Sequence, residues 1–191
     1  MIRNPFPPLP PSIVRLRKLD AYECIATKLD IRDFDSKKVP LDVKLKVLEA
    51  ARLTGSGMNI QHWHYLMVQD PDSLKKLAEA ATTGPWVAGA NFAVVVFTDT
   101  QYGFHLIDAG RVAQDMQIAA WNFGVASGLY TGFDQKLLRK FFSIPENVSA
   151  SIAIGFGYPT RKITGKKKRK PLRELVYLEK YGNPFDKEKL A

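Results

Sequence analysis

Apolar residues recur along this chain at two spacings, and the switches between them divide it into elements. Ile13, Leu16 and Leu19, then Tyr22, Ile25, Ala26 and Leu29, follow one another at intervals of three or four. That spacing predicts helix ending near Asp30, with Ser12 or Asp20 as N-cap. Pro40-Leu41-Asp42 opens a second helix, whose apolar face would be Val43, Leu45, Val47, Leu48 and Ala51, and Thr54-Gly55-Ser56-Gly57 stops it. Residues 65–69 and 92–98 are short β-rich runs, with a helix over 73–81 between them, started by Asp72 or Ser73. Asp108 is expected to cap a long helix over 109–123. Val112, Met116, Ile118, Ala119 and Ala120 leave that helix apolar on nearly every side, as a central buried helix would be, and Gly124 ends it. Residues 125–131 and 151–156 read as strands, separated by an amphipathic helix over 135–142. Helices and strands alternate too irregularly for a doubly wound sheet, which predicts one α+β domain of three layers over residues 13–191. Residues 1–12 hold five prolines and read as an extended arm.

Composition narrows the class. With 191 residues, 46% hydrophobic and 25% charged, the chain has the make-up of one globular domain with a sizeable core. The longest apolar stretch, residues 92–97, is strand-sized, which argues against a membrane span. Prolines interrupt the N-terminus where a signal peptide needs an apolar run, so a cytoplasmic location is expected. The single cysteine, Cys24, allows no intramolecular disulfide and reads as buried and inert. His62, His64 and His105 are scattered without a carboxylate pattern, so no metal site is expected. The formal charge is +9, but five basic residues sit together in Lys166-Lys167-Lys168-Arg169-Lys170, and the remainder carries +4. A run of this kind reads as a solvated loop. Nucleic-acid binding is the competing reading, weakened because neither interleaved aromatics nor a recognition helix accompanies the run.

Three segments combine polar, glycine and basic residues beyond what a core requires. Lys28-Leu29-Asp30-Ile31-Arg32-Asp33-Phe34 could be an ordinary charged helix end, where a lysine suits the macrodipole. Ser56-Gly57-Met58-Asn59-Ile60-Gln61-His62-Trp63 could be a plain loop, although amide edges beside a flat ring suit a planar heterocycle. Arg169-Lys170-Pro171-Leu172 follows Gly155-Phe156-Gly157-Tyr158-Pro159, where a strand gives way to a basic loop.

In this order, with Asp108-Ala109-Gly110, Gly124-Val125-Ala126-Ser127-Gly128 and Thr131-Gly132-Phe133 between them, the motifs resemble the nitroreductase family of FMN-dependent oxidoreductases over residues 21–176. The resemblance implies an α/β/α sandwich around a central mixed or antiparallel sheet, an intertwined homodimer, and FMN at each subunit interface. Lys28, Arg32, Lys167 and Arg169 would hold the phosphate and ribityl end, which suits a group of charge near −2. Leu29 replaces a basic residue of the motif and would offer its backbone. Asp30 stands where most members have serine, and would repel a phosphate unless it turns to Arg32 or Lys28. Ser56, Gly57, Asn59 and Gln61 would reach the ribityl chain and ring from the other subunit, while the backbone of Tyr130, Thr131 and Gly132 would lie along the flavin. His62 replaces the motif's proline and reads as a packing substitute rather than a proton donor. No catalytic residue of the protein is implied, since hydride chemistry belongs to the flavin. The implied activity passes hydride from NAD(P)H through FMN to a nitroaromatic, quinone or similar small-molecule acceptor. A flavin-binding or flavin-degrading role in the same fold is the alternative that Asp30 motivates. Trp121 and Phe123 read as core, and Trp86 as a pocket cover or an interface plug.

Overall fold

The computed structural model describes residues 19–186 and 188, so the proline-rich arm and the Ser12 cap lie outside the described residues. The elements are α1 (Ala21–Thr27), α2 (Leu41–Leu53), β1 (His64–Val68), α3 (Pro71–Glu79), β2 (Phe92–Thr98), α4 (His105–Asn122), β3 (Ala126–Tyr130), α5 (Gln135–Phe142) and β4 (Ser149–Gly157). The four strands pair antiparallel in the order β1-β2-β4-β3.

Strand β2 dictates the layers. Every one of its residues is buried, and successive side chains of a strand point to opposite faces, so an unbroken apolar run needs cover on both sides. Phe92, Val94 and Val96 pack with Val43 and Val47 of α2 and with Val112 and Met116 of α4. Ala93, Val95 and Phe97 pack with Leu74 and Leu77 of α3 and Leu138 of α5. Two helices therefore cover each face, giving the three-layer α+β sandwich that the sequence predicts. Phe92 and Phe156 stack at 4.7 Å across the β2–β4 pair. Beside them Gly155 lets the Trp86 ring lie against the sheet, where a Cβ would stand 2.8 Å from it. Gly155→Val is expected to destabilise the fold by about 1–3 kcal/mol, the range for overpacking, read as a lower urea midpoint at unchanged slope.

Several boundaries differ from the pattern, each for a tertiary reason. Helix α1 is capped by Asp20 as predicted, but it ends at Thr27 rather than near Asp30, because the chain must turn extended at Lys28 for Asp30 to bridge Ser127 on the β3 edge. On α2, Val43, Val47 and Ala51 are buried at intervals of four, whereas Leu45 falls on the outer side and is exposed with Leu41 and Leu53. Asp70, not Asp72 or Ser73, caps α3, accepting from the Ser73 amide at 2.9 Å with Pro71 at the first helical position. Asp108 is not a cap at all. Helix α4 begins at His105, whose Nδ1 lies 2.9 Å from Thr98 Oγ1, and Asp108 sits one turn inside it, 1% exposed. The buried stripe of α4 is Ala109, Val112, Ala113, Met116 and Ala120, while Leu106 and Ile107 face outward, so the helix is apolar on more sides than the described residues cover. Gly124 ends it in the left-handed conformation at φ 71°, as predicted.

Candidate functional site

One polar corner forms where α1 hands the chain to the sheet edge. The Ile31 amide donates to the Ser127 carbonyl at 2.9 Å, fixing Asp30 beside β3. The Asp30 carboxylate turns onto Lys28, whose Nζ is 2.5 Å from Oδ1, and also accepts from Gln117 Nε2 at 3.2 Å. Gln117, buried on α4, is held by Ser127 Oγ at 3.1 Å. Lys28 is itself buried, and a buried ammonium needs such a partner. Asp30 thus neutralises Lys28 rather than Arg32. The Arg32 guanidinium lies 5.7 Å from the centre of the Trp86 ring, a cation–π arrangement. Lys167 Nζ donates to the Ile25 carbonyl at the end of α1. Burial, followed by the positive charges of Arg169 and Lys28, holds the Lys167 ammonium below the ordinary lysine range, against the pull of Asp30. Arg169 is exposed, with Nη1 on the Lys168 carbonyl at 2.8 Å. A cavity of about 440 Å³ opens beside these groups, lined by Leu29, Asp30 and Arg32 on one side and Pro159, Lys162 and Gly165 on the other.

Tyr130 ends the same edge strand, and Thr131 and Gly132 follow it. Ser127 and Tyr130 are three strand steps apart, roughly 10 Å at the usual rise. The Tyr130 side chain points into the core, edge-on to Trp86 at 5.8 Å, and burial pushes its phenol well up. Thr131 is exposed. Gly132 packs so closely on Thr82 that a Cβ would stand 2.3 Å from the threonine Oγ1, so no larger residue fits. The half-buried Trp86 ring lies on Gly128 and Gly155 of the sheet.

The other sequence-predicted group forms an exposed loop after α2. Met58, Asn59 and Gln61 all have left-handed backbone, at φ 51°, 56° and 53°. Each costs about 1–3 kcal/mol for a residue with a Cβ, so something outside the loop must hold it. Ser56 Oγ accepts from the Gln61 amide at 2.9 Å, and the Gly57 amide donates to Asp108 Oδ2 at 3.0 Å. Glycine at 57 is required, since a Cβ would stand 2.6 Å from the Phe104 ring. Asn59 and Gln61 face solvent, with the Gln61 amide group at 3.3 Å from the Asn59 carbonyl.

These two groups do not meet within one chain. The loop is tied to Asp108 and the cationic corner to Gln117, nine residues apart on α4. Nine residues are two and a half helical turns, so the two anchors lie on opposite shoulders of the buried stripe and roughly 13.5 Å apart along the axis. Sequence reasoning missed Gln117, Ser127 and the anchoring role of Asp108. A glutamine inside the apolar stripe of a buried helix was the available signal, since a buried amide must have partners. His105 and the exposed His64 are ordinary polar groups, Trp121 donates to Thr27 Oγ1 at 2.9 Å, and Phe123 packs on the core. Cys24 is buried, and burial, then Asp20 and Glu23, raise its thiol pKa, so it is unreactive. Among the described residues no group of His, Cys, Asp and Glu could hold a metal ion, and no helix is long and apolar enough to cross a membrane.

A cationic corner beside a glycine-lined strand edge sits on a three-layer α+β sandwich built on an antiparallel four-stranded sheet. The comparisons make the assignment specific. The nitroreductase family matches residues 25–102 and 82–158, and the chain belongs to that family. A protein of Methanothermobacter thermautotrophicus named "Putative NADH dehydrogenase/NAD(P)H nitroreductase" is 30% identical over 175 residues, covering 87% of this chain and 91% of its own length. Among solved structures, a nitroreductase family protein from Clostridium difficile 630 is 26% identical at a TM-score of 0.74, over 82% of this chain and 96% of that one. An FMN-dependent nitroreductase from Clostridium difficile R20291 shares the fold at a TM-score of 0.76 and 20% identity, over 83% and 98% of the two chains.

Proposed function

We propose that this chain is an FMN-dependent oxidoreductase, working as a homodimer, that takes hydride from NAD(P)H and passes electrons to a nitroaromatic, quinone or similar acceptor. The observation that carries the reading is the cationic corner, where Asp30 spends its charge on Lys28 and leaves Arg32 and Lys167 for a phosphate. The donor set fits the cofactor. A guanidinium and an ammonium suit a dianion, and the exposed side-chain amides of Asn59 and Gln61 with the half-buried Ser56 hydroxyl suit a ribityl chain and a heterocycle. The Gly132 backbone packs too closely on Thr82 for a side chain, and its carbonyl accepts from the Thr82 amide at 3.0 Å. Bound FMN would supply hydride transfer, so the protein's part is to bind and orient. Leu29 contributes its backbone and a wall of the cavity. Arg169 acts at longer range, through the field that also depresses Lys167.

The homodimer is supported by the placement of the half-sites on opposite shoulders of α4, which suits a site completed by the loop of a second copy. Leu41, Leu45, Leu53, Leu106 and Ile107 are exposed on α2 and α4, an apolar surface that a partner would cover. Purified protein is expected to be yellow and to elute at twice the chain mass by light scattering. Colourless protein that neither takes up added FMN nor dimerises would overturn the reading. Because one flavin face would serve donor and acceptor in turn, steady-state kinetics are expected to give parallel double-reciprocal lines. Intersecting lines would refute the shared face.

A further inference from the structure

We propose that His62 is a positioning residue for the loop at residues 56–61, acting as a neutral imidazole that clamps Asp108 onto the Gly57 amide. The inference rests on the reading of that loop as a flavin contact, and it concerns a residue that the sequence presents only as a stand-in for proline. The His62 side chain is 2% exposed, so it meets no substrate. Its two nitrogens face different elements. Nδ1 accepts from the Asp99 amide at 3.4 Å, just beyond β2, and must therefore carry a lone pair. The proton then resides on Nε2, which lies 3.3 Å from Asp108 Oδ2 on α4. The same Oδ2 accepts from Gly57, while Oδ1 faces Arg111 Nη1 at 3.5 Å.

The geometry sets up a competition that His62 decides. The Asp108 carboxylate has a half-exposed arginine at one oxygen and two uncharged donors at the other. Removing the imidazole donor leaves Gly57 alone against the guanidinium, and the carboxylate is free to rotate toward Arg111. The loop's other hydrogen bonds, Gln61 amide to Ser56 Oγ and the amides of Asn59 and Ile60 to the carbonyls of Ser56 and Gly57, are internal to it, and Met58 is 80% exposed. The imidazole is also packed between rings, with Tyr102 at 5.1 Å, Phe104 at 5.9 Å and Trp63 at 6.0 Å. Phe104 is the ring on which Gly57 rests, so the hydrogen bond and the packing converge on one backbone position.

The test follows hydrogen exchange of the Gly57 amide, alongside FMN affinity from quenching of flavin fluorescence. His62→Leu keeps an apolar filler and removes the donor. It is expected to speed Gly57 exchange and weaken FMN each about tenfold, the effect of one lost hydrogen bond to a charged group, with β2 amides unchanged. His62→Gln places an amide nitrogen near the Nε2 position and is expected to restore both. His62→Asn, whose amide stops at the Nδ1 position, is expected to behave like leucine. The Gln and Asn pair decides the matter if the leucine variant does not fold. Gly57 exchange unchanged in both His62→Leu and His62→Asn, or glutamine no better than asparagine, overturns the proposal. Gly57 exchange that responds as expected while FMN affinity does not leaves the clamp standing and overturns the loop's place in the flavin site.

Discussion

Asp108→Leu is expected to lower stability by about 2–6 kcal/mol, because one buried and one half-buried donor lose their acceptor at about 1–3 kcal/mol each. The donors are His62 Nε2 at 3.3 Å and the Gly57 amide at 3.0 Å, and the carboxylate that serves them is 1% exposed. That is a large share of the 5–15 kcal/mol by which a domain is ordinarily stable. Asp108→Asn retains an acceptor oxygen and is expected to cost clearly less. Urea unfolding followed by circular dichroism, with the slope unchanged, measures both. A loss below about 1 kcal/mol for the leucine variant would mean that water serves these donors and that Asp108 is no anchor.

Arg32→Ala is expected to weaken FMN binding by about 1.5–3 kcal/mol, roughly 10- to 150-fold, as for a lost charge-assisted hydrogen bond. Fluorescence titration at two salt concentrations checks it, and the variant should respond less to salt than the parent, having one cation fewer facing the phosphate. Arg169→Ala should cost less than Arg32→Ala. Its guanidinium is exposed and already bonded to the Lys168 carbonyl, so solvent screens its reach. Equal losses at both positions would mean that the basic run folds onto the phosphate when FMN binds. No loss at Arg32 would remove the cationic corner from the site.

Much of the fold was legible because it is written in local patterns. The continuous apolar run of β2 and the amphipathic repeat of α5 coincide with the predicted bounds, since a strand buried on both faces and a helix with one apolar side each leave a periodic trace. Boundaries failed where a distant contact overrode the local signal. Asp108 has the residue type and position of a cap, yet the helix starts a turn earlier and its carboxylate is drawn to Gly57, fifty-one residues away in the chain. The same holds for α1, whose apolar spacing runs on to Leu29 while the pairing of Asp30 with Ser127 ends the helix early.

For the site, the sequence by itself determined which chemistry the chain carries and in what order. Lys28, Asp30 and Arg32, the Ser56 to Gln61 loop and the lysine run are contiguous segments; the amides of the loop pointed to a planar ring by residue type, and the family resemblance carried by the motifs added the expectation of a phosphate. The tertiary structure decided how charge is apportioned among them. It set Asp30 on Lys28 and Gln117, turned Lys167 inward and left Arg169 exposed, and placed His62 between Asp99 and Asp108. Periodicity reports whether a position is buried, but not which buried polar group it faces. A hydrogen bond or ion pair acts over about 3 Å, and these partners are brought within that distance only when strands and helices far apart in the chain have packed.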